Sequence, residues 1–120
     1  KKIVMKNLFE PEVALIVAAY NEANILPEKI ENTLALAYPV NKLKIHIVTD
    51  GSTDSSELVI KQYDNIHHHH TPTRKGKLAA VQRIMPLVHS PIIILTDANC
   101  MLNEEAIINI VRHYRNEKVG

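Results

Sequence analysis

The sequence predicts an α/β protein with a mostly parallel sheet and flanking helices. Three observations favour this class. Short apolar runs alternate with helical patterns along the 120 residues. Two of the runs, 13–19 and 92–95, contain no alternating polar side chains, which is typical of strands covered on both faces. Four strand–helix units in series imply right-handed crossovers between parallel strands.

The first unit is a strand over 13–19 followed by a helix. Leu26, Ile30 and Leu34 recur at helical spacing, so we expect them to face the sheet. Pro27 suits the first turn of this helix, where a missing N–H costs little. The unit therefore predicts a buried strand and an amphipathic helix packed on it.

The second and third units are shorter. A β-rich strand over 44–49 leads into a turn and a helix. Leu58 and Val59 of this helix, together with Tyr63, should face the core. The third strand falls within 65–71, which is polar, and the helix after it should end at Pro86. In a strand only two of the four histidines at 67–70 share a face, so a polar strand or loop is favoured over a metal site.

The fourth unit has the clearest pattern. A strand over 92–96 is followed by Asn103, which suits an N-cap. Ile107, Ile110 and Val111 then recur at the spacing of a core-facing helical stripe.

Composition excludes several classes of function. Fourteen basic and thirteen acidic side chains give a net charge of +1, which argues against nucleic acid or an anionic membrane surface as a partner. The single cysteine, Cys100, excludes an internal disulfide framework and favours a reducing compartment. No apolar run approaches the roughly 20 residues that span a bilayer.

The predicted sheet brings polar residues to one edge. Ligands of open parallel sheets bind outside the carboxyl ends of the strands. Carboxylates there can accept hydrogen bonds from ribose or a base, and cations can neutralise phosphate. Asp97 and Asn99 offer two oxygen ligands to Mg²⁺ or Mn²⁺. The residues just past the four strands are Tyr20, Asn21, Glu22, Asp50, Gly51, Arg74, Lys75, Lys77, Asp97 and Asn99.

Structural interpretations compete with these functional ones. Asp50 with Gly51 is also typical of a simple turn, and Glu22 of a helix N-terminus. Lys75 and Lys77 suit a solvated surface. Cys100 lacks a neighbouring base in the sequence and is interpreted as a packing residue rather than a nucleophile.

Four segments in this order carry a resemblance to a known family: VALIVAAYNE at 13–22, VTDGSTD at 48–54, RKGKLAA at 74–80 and LTDAN at 95–99. They resemble the nucleotide-sugar-binding half of family 2 inverting glycosyltransferases. The likeness covers nearly the whole chain from about Pro11 onward. It implies a Rossmann-like fold of the A type, a nucleoside-diphosphate sugar donor, commonly a UDP-sugar, and a divalent metal, Mg²⁺ or Mn²⁺.

The resemblance also implies which residues bind the donor. In the family pattern the loop after the first strand surrounds the nucleoside, and the carboxylate that ends the second strand contacts the base. A basic segment after the third strand lies beside the nucleotide. The implied donor-binding residues are Ala19, Tyr20, Glu22, Asp50, Arg74, Lys77 and Asp97.

The metal site departs from the family pattern. Asp97 and Asn99 occupy the first and last positions of the family's Asp-x-Asp motif, whose last residue is the principal metal ligand. Asn99 removes a charge from that position, so we expect weaker metal binding unless substrate phosphates compensate. Thr49 replaces the first Asp of the usual Asp-Asp-Gly-Ser run, whereas Asp50 is retained.

The family's catalytic base, an Asp after the metal motif, has no match in this sequence. We therefore interpret residues 1–120 as the donor-binding domain of a longer enzyme, with residues 1–10 as an N-terminal extension, and expect little transfer by this chain alone. The resemblance implies a carbohydrate or lipid-linked acceptor. It also implies action in the cytoplasm or at the cytoplasmic membrane face through segments outside this chain. An exposed sheet edge could pair two copies into a homodimer.

Two other nucleotide-binding classes are excluded by missing glycines. A dinucleotide-dependent oxidoreductase requires Gly-x-Gly-x-x-Gly after the first strand, where residues 18–23 contain no glycine. A P-loop requires an upstream glycine and a following Ser or Thr, which Gly76-Lys77 lacks. A nucleotidyltransferase and a non-catalytic nucleotide-sugar-binding or assembly module stay open as alternatives.

Overall fold

The computed structural model describes residues 11–50, 56–71 and 76–119. The proposed N-terminal extension at 1–10 and the basic residues at 74 and 75 lie outside the described residues. The strands are β1 Val13–Ala19, β2 Leu43–Asp50, β3 Ile66–Thr71 and β4 Ile92–Asp97. The helices are α1 Leu26–Leu34, α2 Ser56–Ile60, α3 Lys77–Ile84 and α4 Ala106–Val119. No helix in these parts of the chain is long and apolar enough to cross a membrane.

The four strands form one sheet in the order β3-β2-β1-β4, and every pairing is parallel. The predicted α/β class with a parallel sheet is therefore confirmed. The polar third unit is a strand, as predicted. It can be polar because β3 is the last strand of the described sheet, where only part of the side chains must be buried. Short 3-10 turns precede β2 and follow α3, and the second of them contains Pro86, so α3 ends where the proline predicts.

The core lies on both faces of β1, whose seven residues are all buried. On one face Leu15 and Val17 pack in clusters with α1, α2 and α4. On the other face Ile16 packs with Val48 and with Ala80 and Ile84 of α3. Burial on both faces explains why β1 is continuously apolar.

The stripe of α1 differs from the predicted one. Pro27 lies in the first turn as predicted, and Leu26 and Ile30 are fully buried, but Leu34 is 40% exposed. Thr33 is buried instead. A spacing of four residues drifts by about 40° around the helix at each step, so the third member turns away from the sheet, whereas a spacing of seven returns to the same face.

Two further core predictions are wrong. Leu58 is 64% exposed, and Ile60 takes the fully buried position in the five-residue helix α2. Val59 and Tyr63, by contrast, are partly buried against the core, as predicted. Ile110 is 41% exposed, while Ile107 and Val111 are buried against β1 and β4. Both helices contact the sheet along a stripe narrower than the apolar pattern. The backbone N–H of Glu105 donates to Oδ1 of Asn103 at 2.9 Å. Because α4 begins at Ala106, this bond forms a turn just before the helix, and Asn103 does not occupy the predicted N-cap position.

Candidate functional site

The predicted site residues lie at the end of the sheet where all four parallel strands terminate, which we call the carboxyl edge. Ala18 of β1 is in register with Asp97 of β4, and Ala19 with Thr49 of β2, one residue before Asp50. Asp50 and Asp97 therefore lie on either side of the end of β1. Two strand spacings separate them, about 10 Å. A ligand that reaches from one of these strand ends to the other must be elongated.

The loop after β1 is built around Glu22. The backbone N–H of Tyr20 donates to Oε1 of Glu22 at 3.2 Å, and the Glu22 carbonyl accepts from the N–H groups of Ile25 and Leu26 at 3.0 Å. Asn21 between them has a φ of +49°, in the left-handed region that asparagine tolerates. Glu22 thus shapes the start of α1, which agrees with its structural interpretation, and it stays partly accessible at the carboxyl edge.

The turn after β4 presents Asp97 and Asn99 to solvent. Both side chains are exposed, while Ala98 between them is fully buried in the core. The N–H of Ala98 donates to the carbonyl of Ala18, and the N–H of Cys100 donates to the carbonyl of Asp97, each at 3.1 Å. The buried alanine anchors a turn from which a carboxylate and an amide project. These are hard oxygen donors of the kind that Mg²⁺ and Mn²⁺ prefer, with phosphates and water completing the shell.

The residue that sequence reasoning missed is Lys29, which is fully buried in α1. Its ammonium donates to Oγ1 of Thr96 at 3.3 Å and to the carbonyl oxygen of Cys100. Burial lowers the pKa of Lys29 from its ordinary value of 10.5, while the neighbouring Cys100 and Asp97 oppose that shift. A lysine within the apolar stripe of α1 is the signal that could have identified it.

Three residues further along α1, Asn32 binds the segment that follows the turn after β4. Its Nδ2 donates to the carbonyl of Leu102, and its Oδ1 accepts from the N–H of Leu102, both at 2.9 Å. This reciprocal pair satisfies both backbone groups of Leu102. α1 therefore holds the segment after β4 at two places.

The basic segment is only partly described. Lys77 is the first residue of α3, which follows the carboxyl end of β3, and Gly76 before it has a φ of +100°. Arg74 lies outside the described residues. α3 thus begins at the same carboxyl edge of the sheet as Asp50 and Asp97. The free backbone N–H groups at a helix N-terminus favour an anion.

The histidine run divides between the two faces of the sheet, as predicted. His67 and His69 stack on His46, with ring centroids 4.9 and 5.3 Å away, and the rings of His46 and His69 are joined through Nδ1 and Nε2 at 3.1 Å. His68 and His70 each bind Oγ1 of Thr49 at 2.8 Å on the other face. Within the described segments, no group of three or more His, Cys, Asp or Glu side chains is arranged to hold a metal.

Comparison with known proteins decides the family. The sequence model of glycosyl transferase family 2 matches residues 14–120. The chain belongs to glycosyl transferase family 2. This confirms the resemblance carried by the four sequence segments.

Curated glycosyltransferases are similar to this family 2 chain along most of its length. A beta-monoglucosyldiacylglycerol synthase from Nostoc sp. is 28% identical over 116 residues, which cover 92% of this chain and 25% of the relative. A dolichyl-phosphate beta-glucosyltransferase from Trichomonas vaginalis is 33% identical over 82% of this chain and 35% of the relative. The family 2 chain thus spans about a quarter to a third of these relatives.

Solved structures share the fold. A mannosyltransferase from Pyrobaculum calidifontis, in complex with GDP-Man and Mn²⁺, superposes with a TM-score of 0.82 at 26% identity, covering 88% of this chain and 32% of that chain. S. aureus TarS in complex with UDP superposes with a TM-score of 0.74 at 17% identity, covering 88% of this chain and 32% of that one. These likenesses confirm the Rossmann-like A-type fold expected of family 2.

Proposed function

We propose that this chain is the donor-binding part of an inverting glycosyltransferase that uses a nucleoside-diphosphate sugar, commonly a UDP-sugar, with Mg²⁺ or Mn²⁺. The observation that carries the proposal is the meeting of Glu22, Asp50 and Asp97 at one edge of the sheet in a family 2 chain. The complex of the Pyrobaculum calidifontis mannosyltransferase with GDP-Man and Mn²⁺ supports it.

The geometry of the edge suits an elongated ligand with two chemically different ends. We assign the nucleoside to the side of Ala19, Tyr20, Glu22 and Asp50, where carboxylates can accept hydrogen bonds from a base or ribose. We assign the diphosphate to the region beyond the end of β1, between Asp97 on one side and the N-terminus of α3, which Lys77 begins, on the other. Arg74 is assigned to the same basic segment.

The donor set of the turn after β4 fits a divalent ion. One carboxylate, Asp97, and one amide, Asn99, project from a turn anchored by a buried residue. Mg²⁺ commonly takes one or two protein carboxylates and completes its shell with water and substrate phosphates. Bound there, the ion would offset the negative charge that develops on the departing diphosphate. With only one carboxylate present, we expect metal and diphosphate to bind together more tightly than the metal alone.

The acceptor in this proposal is a carbohydrate or a lipid-linked hydroxyl, activated by a base in another part of a longer enzyme. We accordingly expect the 120-residue chain to bind the donor without appreciable transfer. The longer enzyme would act in the cytoplasm or at the cytoplasmic face of a membrane, through segments outside this chain.

Calorimetric titration of UDP and of GDP, each with and without Mn²⁺, tests the proposal. We expect metal-dependent binding of at least one of the two nucleotides. Asp97→Asn should weaken that binding at least about tenfold, because it removes the charged ligand of the ion.

Asp64→Asn is the matched control, since Asp64 is exposed in a turn outside the carboxyl edge, and it should bind like the wild type. Asn99→Asp, which adds a second carboxylate to the turn, should bind Mn²⁺ more tightly. Failure of both nucleotides to bind with Mn²⁺, or equal binding by the Asp97 and Asp64 variants, would contradict the proposal.

A further inference from the structure

A fully buried lysine demands partners, because an unpaired charge in the interior is costly. Both hydrogen-bond acceptors of Lys29 found in the described residues belong to one short segment: Oγ1 of Thr96 just before Asp97, and the carbonyl of Cys100 just after Asn99. The ammonium thus joins the two ends of the turn that presents the candidate metal ligands.

Contacts with β1 and α1 fix this turn on the side that faces the core. Ala98 is fully buried and its N–H is bonded to β1, and Asn32 holds Leu102 two residues beyond Cys100. Asp97 and Asn99 are exposed. The buried contacts therefore determine where these two exposed side chains project.

The charge of Lys29 also acts on the site. Its ammonium attracts the Asp97 carboxylate, one of the two groups that oppose the lowering of the Lys29 pKa by burial. A hydrogen bond from a charged donor is stronger and more directional than one between neutral groups. An ammonium therefore restricts the turn more than an apolar residue of the same size would.

We propose that Lys29 is a positioning residue, whose ammonium holds Thr96 and the Cys100 carbonyl so that Asp97 and Asn99 project in the geometry required by a metal-bound diphosphate. This inference rests on the proposed function. Lys29 acts through the turn, and the nucleoside side of the edge, about 10 Å away at Asp50, does not depend on it.

Lys29→Met tests the proposal, because methionine keeps most of the buried stem and removes the ammonium. Using whichever of UDP and GDP the wild type binds, we expect Mn²⁺-dependent diphosphate binding to weaken at least about tenfold. Binding of the corresponding monophosphate without metal should change less than about twofold. Lys61→Met, at an exposed lysine after α2, is the matched control and should change neither.

Amide hydrogen exchange provides a second measurement that needs no ligand. Lys29→Met should accelerate exchange at Ala98, Cys100 and Leu102, while exchange in β1 stays as in the wild type. Thr96→Val removes one acceptor of Lys29 and keeps the side-chain shape. Like Lys29→Met, it should weaken Mn²⁺-dependent diphosphate binding and accelerate exchange at these amides. It replaces Lys29→Met as the test if the methionine variant fails to fold.

Equal weakening of diphosphate and monophosphate binding would overturn the positioning role, since general destabilisation acts on both. Unchanged exchange at the three amides would overturn it whether or not a ligand binds. Absence of binding by the wild type to both UDP and GDP would instead defeat the proposed function, and the exchange measurement would still decide the role of Lys29 in the turn.

Discussion

At the scale of single residues, positive φ angles shape two of the loops at the carboxyl edge. Asn21 has a φ of +49° and Gly76 a φ of +100° with a ψ of 153°. Asparagine tolerates its conformation, whereas that of Gly76 is essentially restricted to glycine. Among the described residues, and leaving aside Gly76 itself and its two neighbours in the chain, no heavy atom lies within 4 Å of the position that a Cβ of Gly76 would take. Backbone strain, and not a clash, therefore limits substitution there.

Gly76→Ala should lower the free energy of unfolding by about 1–3 kcal/mol, because the backbone before α3 would be forced into a region that side chains disfavour. Urea denaturation measures the change. Gln82→Ala, at an exposed position of α3, should stay within about 0.5 kcal/mol of the wild type. Equal stability of the Gly76 variant and the wild type would mean that this backbone conformation is not required.

Single residues also mark the limit of prediction from the sequence. Asp97 could be predicted, because it directly ends an apolar run and such positions meet at the carboxyl edge. Lys29 could not be assigned a role, because one of its partners is the main-chain carbonyl of Cys100, 71 residues away. A backbone carbonyl has no side-chain identity, so no residue type in the sequence indicates that contact.

At the scale of elements, β3 shows how a polar segment becomes a strand. Ile66 packs into the core, and alternate histidines then find partners on both faces of the sheet. On the side of α3, His46 lies against His67 and His69. Burial, followed by the charges of His67 and of Arg83 in α3, lowers the pKa of His69 from its ordinary value. Each of these neighbours opposes a positive charge on the cluster.

This cluster predicts acid sensitivity. Burial, followed by the charges of His67 and His69, lowers the pKa of His46 from 6.5 to about 4. Between those values the unfolded chain binds a proton that the folded chain does not. The stability is therefore full above pH 6.5 and is lost as the pH falls toward 4.

We expect His46 to account for a loss on the order of 1–2 kcal/mol over that range, allowing for solvent screening of a partly exposed group. Urea denaturation of the wild type and of His46→Val at pH 7, 6, 5 and 4.5 measures it, and the variant should show a shallower dependence on pH. His113→Ala, at an exposed position of α4, should keep the wild-type slope. Identical slopes for wild type and His46→Val would refute the assignment.

The elements were predicted better than their buried faces. β1, β2 and β4 were found because apolar or β-rich runs end in turn residues, whereas the polar β3 was predicted only as a strand or a loop. α3 ends at the proline that stops it. The stripe of α1 was misassigned because spacing alone does not fix which side of a helix touches the sheet. Leu58 of α2 was misassigned for a related reason, since a five-residue helix is too short to show a period.

At the scale of the whole molecule, the register of the parallel sheet creates the candidate site. The meeting of Asp50 and Asp97 across β1 followed from strand polarity, which the sequence predicts, whereas the strand order required the structure. The roles of these residues in donor binding stay predictions. Among the described strands, β3 and β4 form the two edges of the sheet.

β4, at one end of the described sheet, is a strand through which the predicted pairing of two copies would occur. Leu95 in β4 is 59% exposed, and an apolar edge strand favours association, which lysine disfavours. We expect concentration-dependent dimers of the wild type in analytical ultracentrifugation, weakened at least about tenfold by Leu95→Lys. Leu87→Lys changes an equally exposed leucine outside the strands and should leave the equilibrium unchanged. A wild-type monomer at all concentrations would exclude this dimer.

α1 connects two places that are far apart in the chain. Its start is set by the Glu22 carbonyl in the loop after β1, and its middle carries the side chains of Lys29 and Asn32 that hold the segment after β4. One nine-residue helix therefore contacts both the loop that carries Glu22 and the turn that carries Asp97 and Asn99. The length of α1 thus sets the spacing between these two loops, and an insertion or deletion within it would change that spacing.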